Sequence, residues 1–169
     1  MSVSYNLDQT SSSFIRPSNT TAYAAGDVIS EVTTNNHFTF KLGREGRADE
    51  NGCFSFTIER ALITSSAAVS PAPDLELWLF DTDIAEVADN SAFAPTDAEM
   101  LTWIGTIDFP LSDWKTGGAN AGCAAERLAM TIKASTSTSG NIYGQLVVRN
   151  AYVPTSAEVY QVTLFTQRD

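Results

Sequence analysis

Residues 54–59, Phe54-Ser55-Phe56-Thr57-Ile58-Glu59, alternate apolar and polar side chains without interruption. This period of two is typical of a β-strand that turns one face to a core and the other to water. The same alternation recurs along the chain, in residues 38–42, 128–133, 142–149 and 160–164. Segments rich in Gly, Asn and Pro separate these stretches, and such segments favour turns. The sequence therefore predicts an all-β fold, a two-sheet antiparallel sandwich of jelly-roll type.

One stretch, Leu75-Glu76-Leu77-Trp78-Leu79-Phe80, is apolar on both faces. Three leucines occupy one face of the predicted strand, while Trp78 and Phe80 occupy the other. Because both faces need cover, we predict a strand that lies centrally in its sheet, or under a loop or a neighbouring subunit. Trp78 is accordingly a candidate partner-binding residue.

The long segment 81–100 is predicted to project from one end of the sandwich. Within it, Thr96 and Glu99 have the spacing of a capping box, which predicts a short helical turn that runs on to Leu101. The segment is also rich in carboxylates, which offer oxygen ligands for Ca²⁺. The alternative is that these aspartates form Asx turns and solvate the loop, and we favour it because the EF-hand pattern is absent.

The two ends of the predicted organisation differ in character. Residues 1–13 are polar and lack a hydrophobic period, so we predict a flexible N-terminal arm there, followed by a single β-sandwich domain over residues 14–169.

The two cysteines, Cys53 and Cys123, have no spacing that indicates zinc. We expect free, buried thiols, and a single bridge between neighbouring strands is the alternative.

Composition excludes some partners. The chain has 169 residues and a formal net charge of −10. Its ten basic residues are scattered, so no surface is expected that would release counterions from a phosphate backbone, and nucleic acid is not a predicted partner. No run of apolar residues has the length of a membrane span or a secretory signal, so we expect no membrane partner.

The sequence offers few groups for catalysis. His37 is the only histidine, so one chain cannot assemble a histidine-rich metal site or a two-histidine acid–base pair. It lies in a predicted strand, where we expect an exposed side chain. Phosphate-binding and dinucleotide-binding glycine motifs are absent from the sequence. We therefore predict a protein that is not an enzyme and has no cofactor, with a carboxylate-type glycosidase as the catalytic alternative.

Tryptophan admits a second binding hypothesis. Trp103 and Trp114 flank a short apolar stretch, and an exposed indole can stack on a sugar ring. Core or interface packing is the interpretation we favour for both, because large aromatic side chains are mostly buried.

Three segments carry a resemblance. Residues 14–30 read Phe14-Ile15-Arg16-Pro17-Ser18-Asn19-Thr20-Thr21-Ala22-Tyr23-Ala24-Ala25-Gly26-Asp27-Val28-Ile29-Ser30. Two further pieces follow in order, Leu77-Trp78-Leu79-Phe80-Asp81 and Asp89-Asn90-Ser91-Ala92-Phe93-Ala94-Pro95-Thr96-Asp97. In this combination the chain resembles a family of small structural proteins of tailed bacteriophages.

The resemblance implies a capsid decoration, or cement, protein. Such a protein would bind the outer surface of the major capsid protein shell as a homotrimer and stabilise the head. It would be made in the host cytoplasm and end in the virion, on the capsid exterior. The alternative is a tail or receptor-binding accessory subunit that recognises a glycan or protein of the host surface.

The same segments supply the candidate partner-binding residues. Phe14 and Tyr23 are candidate anchors, because a rigid aromatic side chain gives a large contact area at low entropic cost. Arg16 and Pro17, from the same segment, and Trp78 complete the candidate set. Packing inside the chain is the alternative for Phe14 and Tyr23.

Overall fold

The architecture consists almost entirely of β-strands. A computed structural model describes residues 8–34, 36–42, 53–68, 71–135 and 140–168. The strands in chain order are β1 (Asp8–Ile15), β2 (Val28–Ile29), β3 (Phe38–Lys41), β4 (Cys53–Ser65), β5 (Leu75–Phe80), β6 (Trp103–Phe109), β7 (Lys115–Gly117), β8 (Asn120–Ser135), β9 (Asn141–Val148) and β10 (Val159–Arg168). A short helix, α1 (Asp97–Met100), and one 3₁₀ turn over Leu111–Asp113 lie between β5 and β7.

The strands form two antiparallel sheets. The first sheet has the order β1-β10-β4-β8-β7, and the second has the order β2-β9-β5-β6, with β3 also paired to β9. The pairs are nested: β1 pairs with β10, β2 and β3 pair with β9, β4 pairs with β8, and β5 pairs with β6. Successive pairs alternate between the two sheets, as when one long hairpin is wound into a barrel-like sandwich. This is the strand order of a jelly roll, so the predicted fold class is confirmed.

The core lies between the sheets and is built from the apolar face of each alternating strand. Phe56 and Ile58 of β4 point inward, as do Val162 and Leu164 of β10. At Gly144 of β9, side chains of the neighbouring strands in the same sheet lie so close that an added Cβ would be 2.9 Å from the Leu77 side chain. Real Cβ contacts are longer than this, so the core has no room for a side chain at that position.

Strand β5 is covered on both faces, as its sequence predicts. It lies between β9 and β6, and its three leucines are buried in the core. On the outer face the ring of Phe93, from the loop that follows β5, lies 5.3 Å from Trp78 and 6.4 Å from Phe80. Strand β5 is therefore central in its sheet and also lies under a loop of the same chain.

The predicted capping box is also confirmed. The side chain of Thr96 accepts a hydrogen bond from the backbone N–H of Glu99, and the Glu99 carboxylate accepts one from the backbone N–H of Thr96. Helix α1 follows directly and ends at Leu101. None of the helices in the described ranges is long and apolar enough to cross a membrane.

The predicted extent of the N-terminal arm needs correction. Residues 8–13 belong to β1, which pairs along its whole length with β10, and residues 1–7 lie outside the described residues. The hydroxyl groups of this polar stretch bond to neighbouring strands: Ser11 to Thr163 at 2.8 Å, and Ser12 to the backbone N–H of Thr39 at 3.1 Å. A strand at a sheet edge is held by its backbone ladder, so it does not need an apolar period.

This pairing predicts that deletion of residues 1–13 destabilises the fold. Loss of most of β1 removes several backbone hydrogen bonds to β10, and at roughly 1 kcal/mol for each bond we expect a cost of about 2–4 kcal/mol. The thermal midpoint should fall by roughly 5–10 °C, from the usual scaling for a chain of this size. Differential scanning calorimetry of the deletion variant measures this fall.

Deletion of residues 1–7 alone is the control, because it leaves β1 whole. Equal melting temperatures for the full chain and the variant that lacks residues 1–13 would contradict the assignment of residues 8–13 to a stabilising strand.

Candidate functional site

A buried guanidinium lies directly after β1. The side chain of Arg16 has no exposed surface, and its Nε donates a hydrogen bond to the Tyr23 hydroxyl at 3.0 Å. Its Nη1 donates to the carbonyl oxygens of Asn19 at 2.6 Å and Thr155 at 2.9 Å, and its Nη2 donates to the Asn19 side chain at 3.0 Å. Each of its three nitrogens thus has a protein partner.

Asp89, from the loop between β5 and β6, supplies the counter-charge. Its carboxylate lies 3.5 Å from Nη2 of Arg16, and it accepts hydrogen bonds from the Tyr23 hydroxyl at 2.6 Å and the Ser30 backbone N–H at 3.1 Å. Burial, together with the bond to Asp89, raises the pKa of Tyr23 well above its ordinary value. Tyr23 therefore stays protonated and acts as a hydrogen-bond donor to the carboxylate.

A second buried carboxylate lies beside this ion pair. Glu158 accepts hydrogen bonds from the hydroxyl groups of Ser65 and Tyr152 and from the backbone N–H of Thr155. The Tyr152 hydroxyl also bonds to that of Tyr160 at 3.0 Å. We refer to these residues together as the buried polar cluster, which comprises Arg16, Tyr23, Ser65, Asp89, Tyr152, Glu158 and Tyr160.

The two halves of the buried polar cluster are joined by the backbone. Thr155 binds Arg16 through its carbonyl oxygen and Glu158 through its N–H. The rings of Tyr23 and Tyr152 stack with centroids 6.1 Å apart and an interplanar angle of 6°. Because Glu158 and Tyr160 are 1% and 0% exposed, a substrate has no access to them. The cluster can hold loops together, but it is not placed to act on a ligand.

The structure places three of the predicted partner-binding residues inside the chain. Phe14, Arg16 and Tyr23 are all buried, and Phe14 packs with its ring centroid 4.6 Å from that of Phe38. Packing within the chain, the alternative considered for Phe14 and Tyr23, is therefore what this structure shows. Pro17 is half-buried, and its carbonyl oxygen accepts hydrogen bonds from Asn19 and Ala157. A role of these residues toward a partner stays a prediction.

Trp78 lies on the outer face of the second sheet, partly exposed. Its ring centroid is 5.4 Å from that of Trp103, and the Arg149 guanidinium lies over it at 5.8 Å. Its Nε1 donates to the Glu76 carboxylate at 2.9 Å, and Arg149 pairs with the same carboxylate. Burial opposes ionisation of Glu76, but these bonds outweigh it and lower the pKa of Glu76 below its usual range. The structure does not bring Trp78 to the buried polar cluster.

The two remaining tryptophans differ in exposure. Trp114 is buried in the core, so it is not available for stacking on a sugar. Trp103 is 43% exposed. Packing, the interpretation favoured from the sequence for both residues, holds fully for Trp114 and only in part for Trp103.

Three carboxylates of the 81–100 segment have separate protein partners. Asp89 binds Arg16 and Tyr23, while Asp83 binds His37 and Glu99 completes the helix cap. In the part of the chain that the structure describes, no group of three His, Cys, Asp or Glu side chains is placed to hold a metal ion. These aspartates therefore serve to attach the loop to the sandwich.

The single histidine is buried, contrary to the exposed side chain expected from the sequence. His37 lies just before β3 with its side chain 5% exposed, and its Nε2 is 3.0 Å from Asp83. It forms one wall of a polar cleft of about 400 Å³ that Glu31 and Glu86 also line. The expectation was wrong because the covering residue, Asp83, comes from a loop 46 positions away, and no local pattern indicates this contact.

Cys123 is a free cysteine with a buried side chain. Burial, and then the nearby Asp113 carboxylate, raise the pKa of its thiol to about 11, so the reactive thiolate is not populated at neutral pH. The side chain of Cys53 lies outside the described residues, so the expectation of a free thiol there stays a prediction.

No family model matches the chain, and no curated protein sequence matches it. Among solved structures, it is similar to a chain of the cyanophage Pam1 capsid asymmetric unit, at 13% identity over 100% of this chain and 89% of that one, with a TM-score of 0.38. It is also similar to a chain of the capsid of Ralstonia phage GP4, at 10% identity over 100% and 89%, with a TM-score of 0.41. Likeness at this level does not assign a function, and the jelly-roll assignment rests on the strand order.

The ion pair predicts that Asp89→Ala strongly destabilises the fold. The substitution leaves the Arg16 guanidinium buried without its counter-charge, which typically costs about 3–5 kcal/mol. Urea unfolding at neutral pH measures the loss. The matched control is Glu126→Ala, which removes the partner of Arg60 in an ion pair whose side chains are 40% and 56% exposed and should cost no more than about 1 kcal/mol. Equal losses from the two variants would contradict the role of Asp89.

The burial of His37 predicts a pH-dependent stability. Burial lowers the pKa of His37 below its ordinary 6.5, although Asp83 and then Glu86 oppose the shift. The unfolded chain therefore binds the proton first as the pH falls below 6.5, and the contribution of neutral His37 is lost as the pH approaches the folded pKa. Unfolding free energies between pH 7.5 and about 5 should fall more for the native chain than for His37→Gln.

Because the chain has one histidine, its imidazole NMR signals need no assignment and report the folded pKa directly. Glu31 lines the same cleft as His37. Hydrogen bonds from Thr33 and Thr34 hold the pKa of Glu31 at about 2, so its carboxylate stays charged while His37 titrates. A folded pKa above 6.5 would contradict the prediction.

Proposed function

We propose that this chain is a non-enzymatic structural protein of a bacteriophage virion, and specifically a capsid decoration protein. In this proposal it binds the outer surface of the major capsid protein shell as a homotrimer and stabilises the head. Host cytoplasm is the proposed place of synthesis, and the capsid exterior is the proposed location.

One observation carries the proposal: the three segments that resemble phage structural proteins come together in space. The first contributes Arg16 and Tyr23, and the third contributes Asp89, which binds both. The second contributes Trp78, whose ring meets Phe93 of the third. The resembling residues thus form two connected contact sets, which supports a shared architecture over a chance likeness of separate stretches.

The physical character of the cluster supports a structural role. It ties the loop after β1, the loop after β5 and the loop before β10 to one end of the sandwich, and its ionisable groups are buried. A protein that reinforces a shell benefits from such fixed loops, because ordering them on binding would cost free energy. In a trimer, the second and third contacts become intramolecular, so modest contacts by each subunit add to strong attachment.

One observation favours the alternative of a tail or receptor-binding accessory subunit. Trp103 exposes nearly half of its surface beside the ring of Trp78, and an exposed indole suits a sugar ring. A glycan array separates this alternative, since specific binding that Trp103→Ala abolishes would favour it.

The experiment that tests the proposal is quantitative mass spectrometry of purified source particles. We expect this chain in a fixed, simple ratio to the major capsid protein, because a decoration protein occupies equivalent positions over the shell. A few copies for each particle would favour the tail role instead. Absence of the chain from the particles would overturn the proposal.

A further inference from the structure

Three exposed apolar residues lie within four consecutive positions at the junction of α1 and β6. Leu101 is 89% exposed, Trp103 is 43% exposed and Met100 is 38% exposed. We call these three residues the Leu101 face. Exposed aromatic and methionine side chains are enriched in protein interfaces relative to the rest of a protein surface.

The backbone beneath the Leu101 face is held in place. The capping box closes the start of α1, and the N–H of Met100 bonds to the Thr96 carbonyl at 3.0 Å. The N–H of Asp81 bonds to the Thr102 carbonyl at 2.9 Å, which ties the end of the loop to its beginning. Leu101 is therefore exposed by a backbone whose conformation is fixed. A residue whose backbone is already ordered loses less entropy on binding.

The strand that carries Trp103 adds to the same region. β6 is the terminal strand of the second sheet in the described part of the chain. The ring centroids of Trp103 and Trp78 lie 5.4 Å apart, so the indole of Trp103 packs against that of Trp78. A supported aromatic side chain at the centre of a contact is typical of binding hot spots.

Charge indicates the kind of partner. Residues 81–113 contain eight Asp and Glu residues and no Lys, Arg or His. Asp89 is neutralised by Arg16, but Asp97 is exposed directly beside the Leu101 face. A second copy docked through the same face would oppose like charges, which is unfavourable, whereas a basic surface would be attracted.

We infer that the Leu101 face docks on a protein surface that offers an apolar pocket with a basic rim. The inference rests on the proposed function, in which that surface belongs to the major capsid protein. Leu101 and Trp103 fill the pocket, and Asp97 meets Lys or Arg at the rim. The Leu101 face is thus the part of the chain that contacts the shell, while the buried polar cluster holds it in position.

Rebinding to source particles that have been stripped of this chain tests the inference. We expect Leu101→Ser to weaken binding by about tenfold, the size of effect that a hot-spot residue gives. The matched control is Val153→Ser, which alters an exposed apolar residue, 59% exposed, in another loop and should leave binding nearly unchanged. Both variants should melt at the temperature of the native chain, because both side chains are largely in solvent.

Charge variants test the basic rim of the partner surface. Asp97→Asn should weaken binding and reduce its dependence on salt, whereas Asp8→Asn, at the exposed start of β1, should do neither. If native chain rebinds and Leu101→Ser rebinds equally well, the inference is overturned while the proposed function stands. If native chain does not rebind to any stripped particle, the proposed function fails, and the inference fails with it.

Two further outcomes would overturn the inference and assign a different partner to the Leu101 face. Self-association of the chain in solution that Leu101→Ser abolishes would assign the Leu101 face to contacts between copies. Binding to a glycan that Trp103→Ala abolishes, with Leu101→Ser unaffected, would assign the indole to sugar recognition.

Discussion

The buried guanidinium of Arg16 is the constraint on which the rest of this end of the molecule depends. A charge removed from water must be matched by an opposite charge and by hydrogen bonds for its donors. Those partners come from Asn19, Tyr23, Asp89 and Thr155, which belong to three different loops. The loops can reach Arg16 together in only a few arrangements. One buried charge thereby fixes the conformation of segments that have little regular structure of their own.

The effect extends from the buried end of the sandwich to its surface. Asp89 holds the middle of the loop between β5 and β6, and Phe93, four residues later, packs on Trp78 and Phe80. The capping box then fixes α1, after which the chain enters β6. The position of the Leu101 face follows from this succession of contacts. A surface residue with almost no packing of its own is placed by a charge pair in the interior.

The sequence predicts the strands, the jelly roll and the helix cap, because each depends on residues that are near in sequence or on a period of two. The predictions from sequence were wrong where contacts between distant residues decide the structure. Residues 8–13 have no apolar period, yet backbone bonds to β10 make them a strand. His37 is covered by Asp83 from a distant loop. Glu158 is bound by Ser65, which is distant in sequence, and by Tyr152, which is nearer but forms no recognisable pattern with it. Phe14 and Tyr23 lie in a segment where apolar and polar residues do not alternate. The sequence therefore did not indicate whether their side chains point to the core or to solvent.

Most residues that carry the resemblance lie outside the Leu101 face, and this has a physical reason. Several residues that carry the resemblance, such as Arg16, Tyr23 and Asp89, form interior contacts that shape the loops. Leu101 and Trp103 lie outside the resembling segments and face solvent. Interior contacts are restricted by close packing, whereas an exposed side chain is restricted only by what it binds. The resembling segments therefore bear on the internal architecture of the chain, and the choice between head and tail depends on its exposed residues.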